Sequence, residues 1–282
     1  MNAVGGFLAR PDIKALSSLI IVIALVIVIY YIIKHYRTQN TSLSTQISDQ
    51  ISAMAIYERR GNNRKAFAQL LNTTEPNTAP ALLINYYVAT AYNCAIAGQK
   101  QNGMVSTAFI TACLRGGARC LDLAIYPQDP LDPRSQPVVC EADPVSRARI
   151  TKNFITFDDA CQTIIHDGLE KNKGGSAIGL VNASDPLFLM LRIRAGQNLP
   201  MLTSIVNSLQ RFQTYRLPYT YYNCNNQDRI CNFNASDFEG KVIIMSDSPM
   251  TGTPLAEYIN IAFIPTDHLS ILYSAHIGLI RI

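Results

Sequence analysis

Hydrophobic and polar residues follow three different rhythms along this chain, and the first is an uninterrupted apolar run. Residues 15–33 contain no charged side chain. A helix of this length, at about 1.5 Å per residue, spans roughly the 30 Å hydrocarbon core of a bilayer. The run therefore predicts a single-pass transmembrane anchor over residues 15–37, preceded by an N-terminal tail at residues 1–14. Similar numbers of lysine and arginine flank both ends of the run, so its orientation stays open.

The second rhythm is helical and covers residues 38–78, which we interpret as a helical stalk and linker. Apolar residues recur every three or four positions from Leu43 to Tyr57, with polar residues between them, and this spacing predicts a helix. A second short helix is predicted over residues 64–71. Residues 72–78 are rich in turn formers and predict a linker.

From residue 79 onward, short apolar runs alternate with amphipathic segments. Strands are predicted at residues 82–89, 120–125, 137–140, 187–193 and 240–245, and helices at residues 105–115, 157–169 and 198–212. Nearly continuous apolar strands that alternate with helices indicate a parallel sheet covered by helices. We therefore predict an α/β, TIM-barrel-like domain over residues 79–282. Only two apolar runs follow residue 250, which leaves open whether the barrel is closed.

Composition excludes some classes of protein. Charged residues make up 16 % of the chain, hydrophobic residues 48 %, and the net charge is only +4. These values exclude a disordered chain and a nucleic-acid footprint. Four cysteines in apolar runs are predicted to be buried thiols: Cys113, Cys120, Cys140 and Cys161. Cys224 and Cys231 flank a polar loop and either form a small disulfide or remain reduced.

Five short segments of the larger region carry a family resemblance. They are ATAYNCA at residues 89–95, RGGARCLDLA at 115–124, PVVCEA at 137–142, PLFLMLRI at 186–193 and FEGKVI at 238–243. In order and spacing these segments resemble the catalytic X region of phosphoinositide-specific phospholipase C. The resemblance covers about residues 80–247 and implies the TIM-barrel fold of PLC-like phosphodiesterases.

The resemblance also implies where the catalytic residues would lie, and this chain departs from the family at both positions. Two histidines serve the family as general acid and base. Tyr92 stands at the first position and Glu141 at the second. Acid–base chemistry near neutral pH needs groups that titrate there, and an unperturbed tyrosine has a pKa near 10. The chain is therefore predicted to lack the family reaction.

The calcium ligands of the eukaryotic family members are likewise incomplete. The asparagine is kept as Asn93, and a shortened acid, Asp122, takes the place of a glutamate. Ala124 and Arg192 stand where the resemblance implies two further carboxylates. Calcium requires oxygen ligands, so we predict no metal, no cofactor and no catalytic residue. The resemblance implies a vestigial pocket made of Tyr92, Asn93, Asp122, Ala124, Glu141 and Arg192.

The function favoured by the sequence is a membrane-anchored, catalytically inactive PLC-like module. It would serve as a structural or docking component of a membrane-associated assembly, such as a virus particle with an internal membrane. Its partners would be the membrane, through residues 15–33, and neighbouring proteins, but not nucleic acid.

Three alternatives stay open. A phosphoinositide or lipid-headgroup binding protein would use Asn93, Arg192 and Arg194 to contact phosphate. A divergent active phosphodiesterase would use Asp122, Glu141 and Arg192. A new acidic metal site would combine Asp122, Glu141 and Asp143. The four histidines match none of the family's catalytic positions and are predicted to be structural or exposed: His35, His166, His268 and His276.

Overall fold

The computed structural model describes thirteen stretches of the chain: residues 11–40, 43–61, 82–83, 87–98, 102–132, 134–143, 145–146, 148–170, 184–196, 198–217, 233–248, 250–262 and 277–281. The chain separates into two compact units, Met1–Gln46 and Ile47–Ile282. Several predictions lie outside the described residues, namely the helix over 64–71, the linker at 72–78, and those on Cys224, Cys231, His268 and His276.

The first helix, α1, covers Pro11–Asn40. Its large apolar side chains between Leu19 and Ile33 are exposed. Among the residues that the structure describes, no helix combines the length and apolar character needed to cross a membrane. The transmembrane helix predicted over residues 15–37 is not found among them.

The second helix, α2, covers Leu43–Gly61. It confirms the helix predicted from the apolar spacing in this segment, and it continues to the glycine. On one side of α2, Ile51 and Met54 pack against the buried side chains of Met104 and Phe109. The helical spacing seen in the sequence is therefore satisfied by packing within the larger unit, to which Ile51 and Met54 belong.

Ten strands follow α2 in the described part of the chain. They are β1 (Tyr87–Ala91), β2 (Ile96–Ala97), β3 (Met104–Val105), β4 (Cys120–Pro127), β5 (Pro137–Val139), β6 (Ile155–Thr156), β7 (Leu187–Ile193), β8 (Val242–Ser246), β9 (Ile261–Ala262) and β10 (Ile277–Arg281). Eight of them form one sheet, in the order β10-β1-β4-β7-β8-β9, with β5 beside β4 and β6 beside β5.

Strands β1, β4, β7, β8 and β9 run parallel, whereas β10 is antiparallel to β1. The predicted α/β class with a parallel sheet is confirmed. Within the described part of the chain, no pairing joins β9 to β10.

Among the described residues, three α-helices cover the sheet: α3 (Thr107–Arg115), α4 (Phe157–Gly168) and α5 (Leu199–Leu209). Short 3-10 helices lie at Gln210–Phe212, Ala235–Phe238 and Pro254–Glu257. Ser106, Thr156 and Asn198 precede α3, α4 and α5, and each side chain accepts a hydrogen bond from a backbone amide of the first turn. Such a cap satisfies a backbone N–H that has no partner inside the helix.

The two faces of the sheet bury different side chains. Leu189 and Leu191 of β7 pack in a hydrophobic cluster with buried side chains of α3, α4 and α5. Phe188 and Met190, which point the other way because strand side chains alternate, pack in a second cluster with Phe238. Arg192 is next in this second series. The face of β7 that carries Phe188, Met190 and Arg192 therefore changes from apolar to charged as the strand approaches its carboxyl end.

Most predicted strands lie where the sequence placed them, but the first one is displaced. Residues 187–193 form β7 as predicted. The strand predicted over 82–89 is wrong in its position, because β1 covers Tyr87–Ala91. Leu82 instead forms an isolated bridge with Asn234, and Leu83 is buried in the second cluster. Its hydrophobicity therefore reflects packing outside the sheet.

One buried cation lies at the amino edge of the parallel strands. Arg119 directly precedes β4 and is 5 % exposed. Its Nη1 donates to the carbonyl oxygen of Gly168 at 2.9 Å, and its Nη2 donates to the carbonyl oxygen of Asp185. Its Nε has no hydrogen-bond partner. Burial lowers the pKa of Arg119 to about 10, although Asp185 acts in the opposite direction.

Candidate functional site

The candidate site begins at the turn that follows β1. The backbone of Asn93 has a φ of 48°, in the left-handed region where asparagine is enriched several-fold over most other residues. The backbone N–H of Asn93 donates to Oδ1 of Asp122 at 3.3 Å, and the backbone N–H of Cys94 donates to the Asp122 carbonyl oxygen at 3.0 Å. The turn is therefore joined to β4 through both the backbone and the side chain of Asp122.

Arg192, near the carboxyl end of β7, occupies the centre of the site. Its Nε donates to both carboxylate oxygens of Asp122, at 3.0 and 3.2 Å. Its Nη2 lies 2.9 Å from Oδ1 of Asp122 and donates to Oδ1 of Asn93. Oε2 of Glu141 is 4.0 Å from the same nitrogen. Oxygens of three residues therefore converge on one guanidinium nitrogen.

Glu141 closes the other side of the site. Its Oε2 accepts a hydrogen bond from Nδ2 of Asn93 at 2.8 Å, and its Oε1 accepts one from the hydroxyl of Tyr126 at 3.4 Å. The Asn93 side chain thus donates to Glu141 and accepts from Arg192. Glu141 is only 7 % exposed, so its hydrogen bonds to protein groups replace most of its contact with water.

Tyr92 forms the outer contact of the site. The guanidinium carbon of Arg192 lies 4.7 Å from the centroid of the Tyr92 ring, within the range of a cation–π interaction. The aromatic face therefore stabilises the charge on Arg192. We call the six residues that meet here the polar cluster: Tyr92, Asn93, Asp122, Tyr126, Glu141 and Arg192.

The electrostatics of the polar cluster favour a protonated arginine and a protonated tyrosine. Burial acts to lower the pKa of Arg192, but Asp122, Tyr92 and Glu141 outweigh it and hold the pKa above its usual range. Burial raises the pKa of Tyr126, and the charge of Glu141 adds to this effect. Burial also raises the pKa of Asp122, against the opposing influence of Arg192. Arg192 is thus a fixed positive charge, and Tyr126 a fixed hydrogen-bond donor.

Five of the six residues that the sequence singles out are brought together here. Ala124 lies beside Arg192, its partner in the pairing of β4 with β7, but its side chain has no polar atom. It is 1 % exposed and packs in a small apolar cluster with Tyr126 and Cys140. Its methyl group offers no oxygen to a cation. The polar residues that the sequence singles out are therefore in contact with one another, and Arg192 lies at the centre of their oxygen atoms.

Two further residues of this edge were missed by the sequence analysis. Tyr126 lies on the same face of β4 as Asp122 and Ala124, so alternation along the strand was a signal for it. Asp247 directly follows β8, and its Oδ2 lies 2.5 Å from Nη1 of Arg194. The carboxyl ends of parallel strands share one edge of a sheet, which was the available signal for Asp247.

The alternative acidic metal site is not formed. Oδ1 of Asp143 accepts hydrogen bonds from the amides of Val145 and Ser146, at 3.0 and 2.6 Å, so Asp143 braces its own loop. Across the described stretches, no group of three or more histidine, cysteine, aspartate or glutamate residues is arranged to hold a metal ion. His166 is exposed, as predicted, and its Nδ1 lies 2.6 Å from Oδ1 of Asp167.

The buried thiols are confirmed. Cys113, Cys120, Cys140 and Cys161 are all buried and reduced, and Cys94 shares this state. Burial raises the pKa of Cys113 to about 12. A protonated thiol in an apolar environment is a poor nucleophile, so these residues contribute to packing.

Comparison with known proteins gives likenesses of fold only. Comparison with protein-family models and with curated protein sequences finds no match. Similar solved structures include the PLC21 enzymes of L. pealei and S. officinalis, each 14 % identical with a TM-score of 0.41, which cover 61 % of this chain. The chain spans 19 % of the length of each. A calcium-dependent phosphoinositol-specific phospholipase C from Pseudomonas sp is 13 % identical, with a TM-score of 0.43, and 66 % of this chain and 67 % of that chain are covered.

Proposed function

We propose that the larger unit is a non-catalytic, PLC-like module that acts as a structural or docking component of an assembly. The observation that carries this proposal is the position of Arg192, whose Nη2 contacts oxygens of Asn93 and Asp122 and lies 4.0 Å from Glu141. These oxygens are the hard ligands that a divalent cation would need. In this chain the guanidinium of Arg192 takes the place of such a cation among these oxygens.

Proton transfer is the second requirement that the polar cluster does not meet. A general acid–base pair needs two groups that titrate near neutral pH and reach the substrate. Glu141 is engaged by Asn93 and Tyr126, and the only other group at the family's catalytic positions is Tyr92. In the described part of the larger unit the histidine is His166, which is exposed on α4 and paired with Asp167. These contacts support a role in which the residues stabilise one another.

The test is a hydrolysis assay of the full chain on phosphatidylinositol vesicles, with calcium and with a chelator. We expect no release of inositol phosphate in either condition, and no difference between the wild type and Glu141→Gln. An active phospholipase C on the same vesicles is the control for substrate quality. Turnover by the wild type that Glu141→Gln abolishes would overturn the proposal and favour the divergent phosphodiesterase.

Headgroup binding is tested separately, by measuring how much protein the vesicles capture. Arg194 is the more accessible arginine at this edge, with a side chain that is 41 % exposed and paired with Asp247. If vesicles capture the protein in proportion to their phosphoinositide content, and Arg194→Ala abolishes capture, headgroup binding replaces docking as the function. We expect capture that does not depend on phosphoinositide content.

We also propose that the chain is anchored at a membrane, and this part of the proposal rests on the apolar sequence of residues 15–33. The exposed apolar side chains of α1 between Leu19 and Ile33 are the chemistry that a lipid phase or an apolar protein surface would cover. Extraction of native membranes at high pH tests this location. We expect the chain to stay with the lipid, and its release into the soluble fraction would contradict the proposal.

A further inference from the structure

Two loops next to the polar cluster hold aliphatic side chains almost fully in water. Leu131 is 91 % exposed and Val145 is 90 % exposed. In the larger unit, Leu199 is the other large hydrophobic residue that is exposed among the described residues, at 54 %. Single exposed apolar residues are ordinary, but these two share a sequence motif and a loop geometry.

The shared motif is aspartate, proline and an aliphatic residue. It occurs as Asp129-Pro130-Leu131 and again as Asp143-Pro144-Val145. In both copies the aspartate accepts a hydrogen bond from the amide of the aliphatic residue, at 2.9 Å for Leu131 and 3.0 Å for Val145. This contact is an Asx turn. The same short turn therefore presents one aliphatic side chain outward in each loop.

Both loops are braced beyond the turn. In the first, the Asp129 amide donates to Oγ of Ser135 at 2.7 Å, and the Gln128 amide donates to the carbonyl oxygen of Gln136 at 3.0 Å. In the second, the Asp143 amide donates to the carbonyl oxygen of Ala148 at 2.9 Å. Preorganised groups lose less conformational entropy when they bind.

The two loops also start from residues in contact. The first leaves β4 just after Tyr126, and the second starts at Ala142. The single Tyr126 hydroxyl hydrogen is shared between two acceptors, the Ala142 carbonyl oxygen at 3.5 Å and Oε1 of Glu141 at 3.4 Å. The polar cluster thus holds the bases of both loops together, which gives its hydrogen bonds a use other than catalysis.

We propose that Leu131 and Val145 are a pair of docking knobs that insert into two apolar pockets of a protein partner. A bilayer is the less suitable occupant, because Asp129, Asp132 and Asp143 accompany the knobs. Hydrogen bonds from Ser146 and Val145 lower the pKa of Asp143, so it stays ionised, and carboxylates are costly to bring into lipid. A protein surface with lysine or arginine beside its apolar pockets complements both features.

This inference rests on the proposed docking function, and its experiment fails separately from the hydrolysis assay. A benzophenone amino acid is placed at position 131, 145 or 199 of the full chain in its native cells. After irradiation, adducts are identified by mass spectrometry. We expect one and the same protein at positions 131 and 145, and its absence at position 199, which is the matched exposed leucine.

Binding of that purified protein to the purified chain completes the test. Leu131→Ser and Val145→Ser are each expected to raise the dissociation constant at least tenfold, whereas Leu199→Ser leaves it unchanged. The inference would be overturned by no protein common to positions 131 and 145, by adducts with lipid only, or by an unchanged dissociation constant in either serine variant. Binding to phosphatidylcholine and phosphatidylserine vesicles that the serine variants lose would assign the knobs to a membrane instead.

Discussion

A buried arginine, Arg119, and a partly buried one, Arg192, lie at opposite edges of one sheet and have different partners. Arg119, at the amino edge, donates to two neutral carbonyl oxygens and leaves its Nε without a partner. Arg192, at the carboxyl edge, is bound to the carboxylate of Asp122 and lies near that of Glu141. Burial lowers the pKa of Arg119, whereas neighbouring charges raise that of Arg192 against the effect of burial.

The difference separates a structural cation from a neutralising one. Arg119 ties the last turn of α4 to the segment before β7 by hydrogen bonds to the carbonyl oxygens of Gly168 and Asp185, and the charge of Asp185 compensates only part of the effect of burial. Arg192 binds the acidic groups that would otherwise be available for a metal or a substrate. Its removal should therefore have a larger effect, because it leaves buried carboxylates without a partner.

The largest effect is expected for Arg192→Ala. Loss of one partner from a buried ion pair costs about 3–5 kcal/mol of the free energy of unfolding, measured by urea denaturation. Arg194→Ala is the matched control on the same strand edge, because its ion pair with Asp247 is partly exposed. That pair should contribute no more than about 1 kcal/mol. Equal losses in both variants would contradict the distinction.

The second prediction concerns Arg119→Met. This change removes two hydrogen bonds and leaves the carbonyl oxygens of Gly168 and Asp185 without that donor, at a cost of about 1–3 kcal/mol. It also removes a charge whose burial is only partly compensated by Asp185, and this gain reduces the net loss. Urea denaturation should therefore rank this variant above Arg192→Ala in stability. The reverse order would break the comparison.

The third prediction sharpens the role of Arg192 as an internal cation. In Arg192→Ala, the oxygens of Asn93, Asp122 and Glu141 are left facing the vacated space. Calcium at ten times its dissociation constant should then restore about 1.4 kcal/mol, seen as a rise in Tm that a chelator reverses. The wild type should show no such rise. A calcium response in the wild type would mean that Arg192 does not occupy the cation's place.

The smallest effect is expected from the thiols at the two edges. Burial raises the pKa of Cys120 and Cys140 to about 12, from an ordinary value of 9.0. A raised folded-state pKa gives stability that is present below pH 9 and is lost as the pH rises toward 12. Between pH 7 and pH 9.5 each thiol should account for a loss of about 0.8 kcal/mol.

Urea denaturation of Cys120→Ala and Cys140→Ala at both pH values measures these contributions, and each variant should show a shallower decline than the wild type. The two thiols serve as one another's control, because they lie at opposite edges and have similar pKa values. An unchanged decline in either variant would contradict the burial of that thiol.

The sequence predicts the strands and helices of this structure better than the arrangement of side chains at the carboxyl edge of the sheet. Strand β7 was predicted from an apolar run with one charge, and that charge, on Arg192, is the centre of the polar cluster. The displaced start of β1 was not predictable from Leu82 and Leu83, because their apolar character serves packing against residues near position 235. Hydrophobicity alone does not distinguish these two uses.

Five residues of the candidate site could be predicted because they lie in the segments that resemble a known family, and the structure brings them together: Tyr92, Asn93, Asp122, Glu141 and Arg192. Their further hydrogen-bond and ion-pair partners could not be predicted. The bond between Tyr126 and Glu141, and the pair of Arg194 and Asp247, depend on which strands are neighbours in the sheet. A single sequence gives the alternation along each strand but not the order of the strands.

The most direct test of the central claim is a double-mutant cycle on Asp122 and Arg192, followed by urea denaturation. If these residues exist to neutralise each other, Asp122→Ala and Arg192→Ala will each be strongly destabilising, and the double variant will be more stable than the sum of the two losses predicts. The coupling energy expected for such residues in one buried network is about 2–3 kcal/mol. Additive losses, together with phosphodiester turnover that either substitution abolishes, would instead identify a working catalytic site.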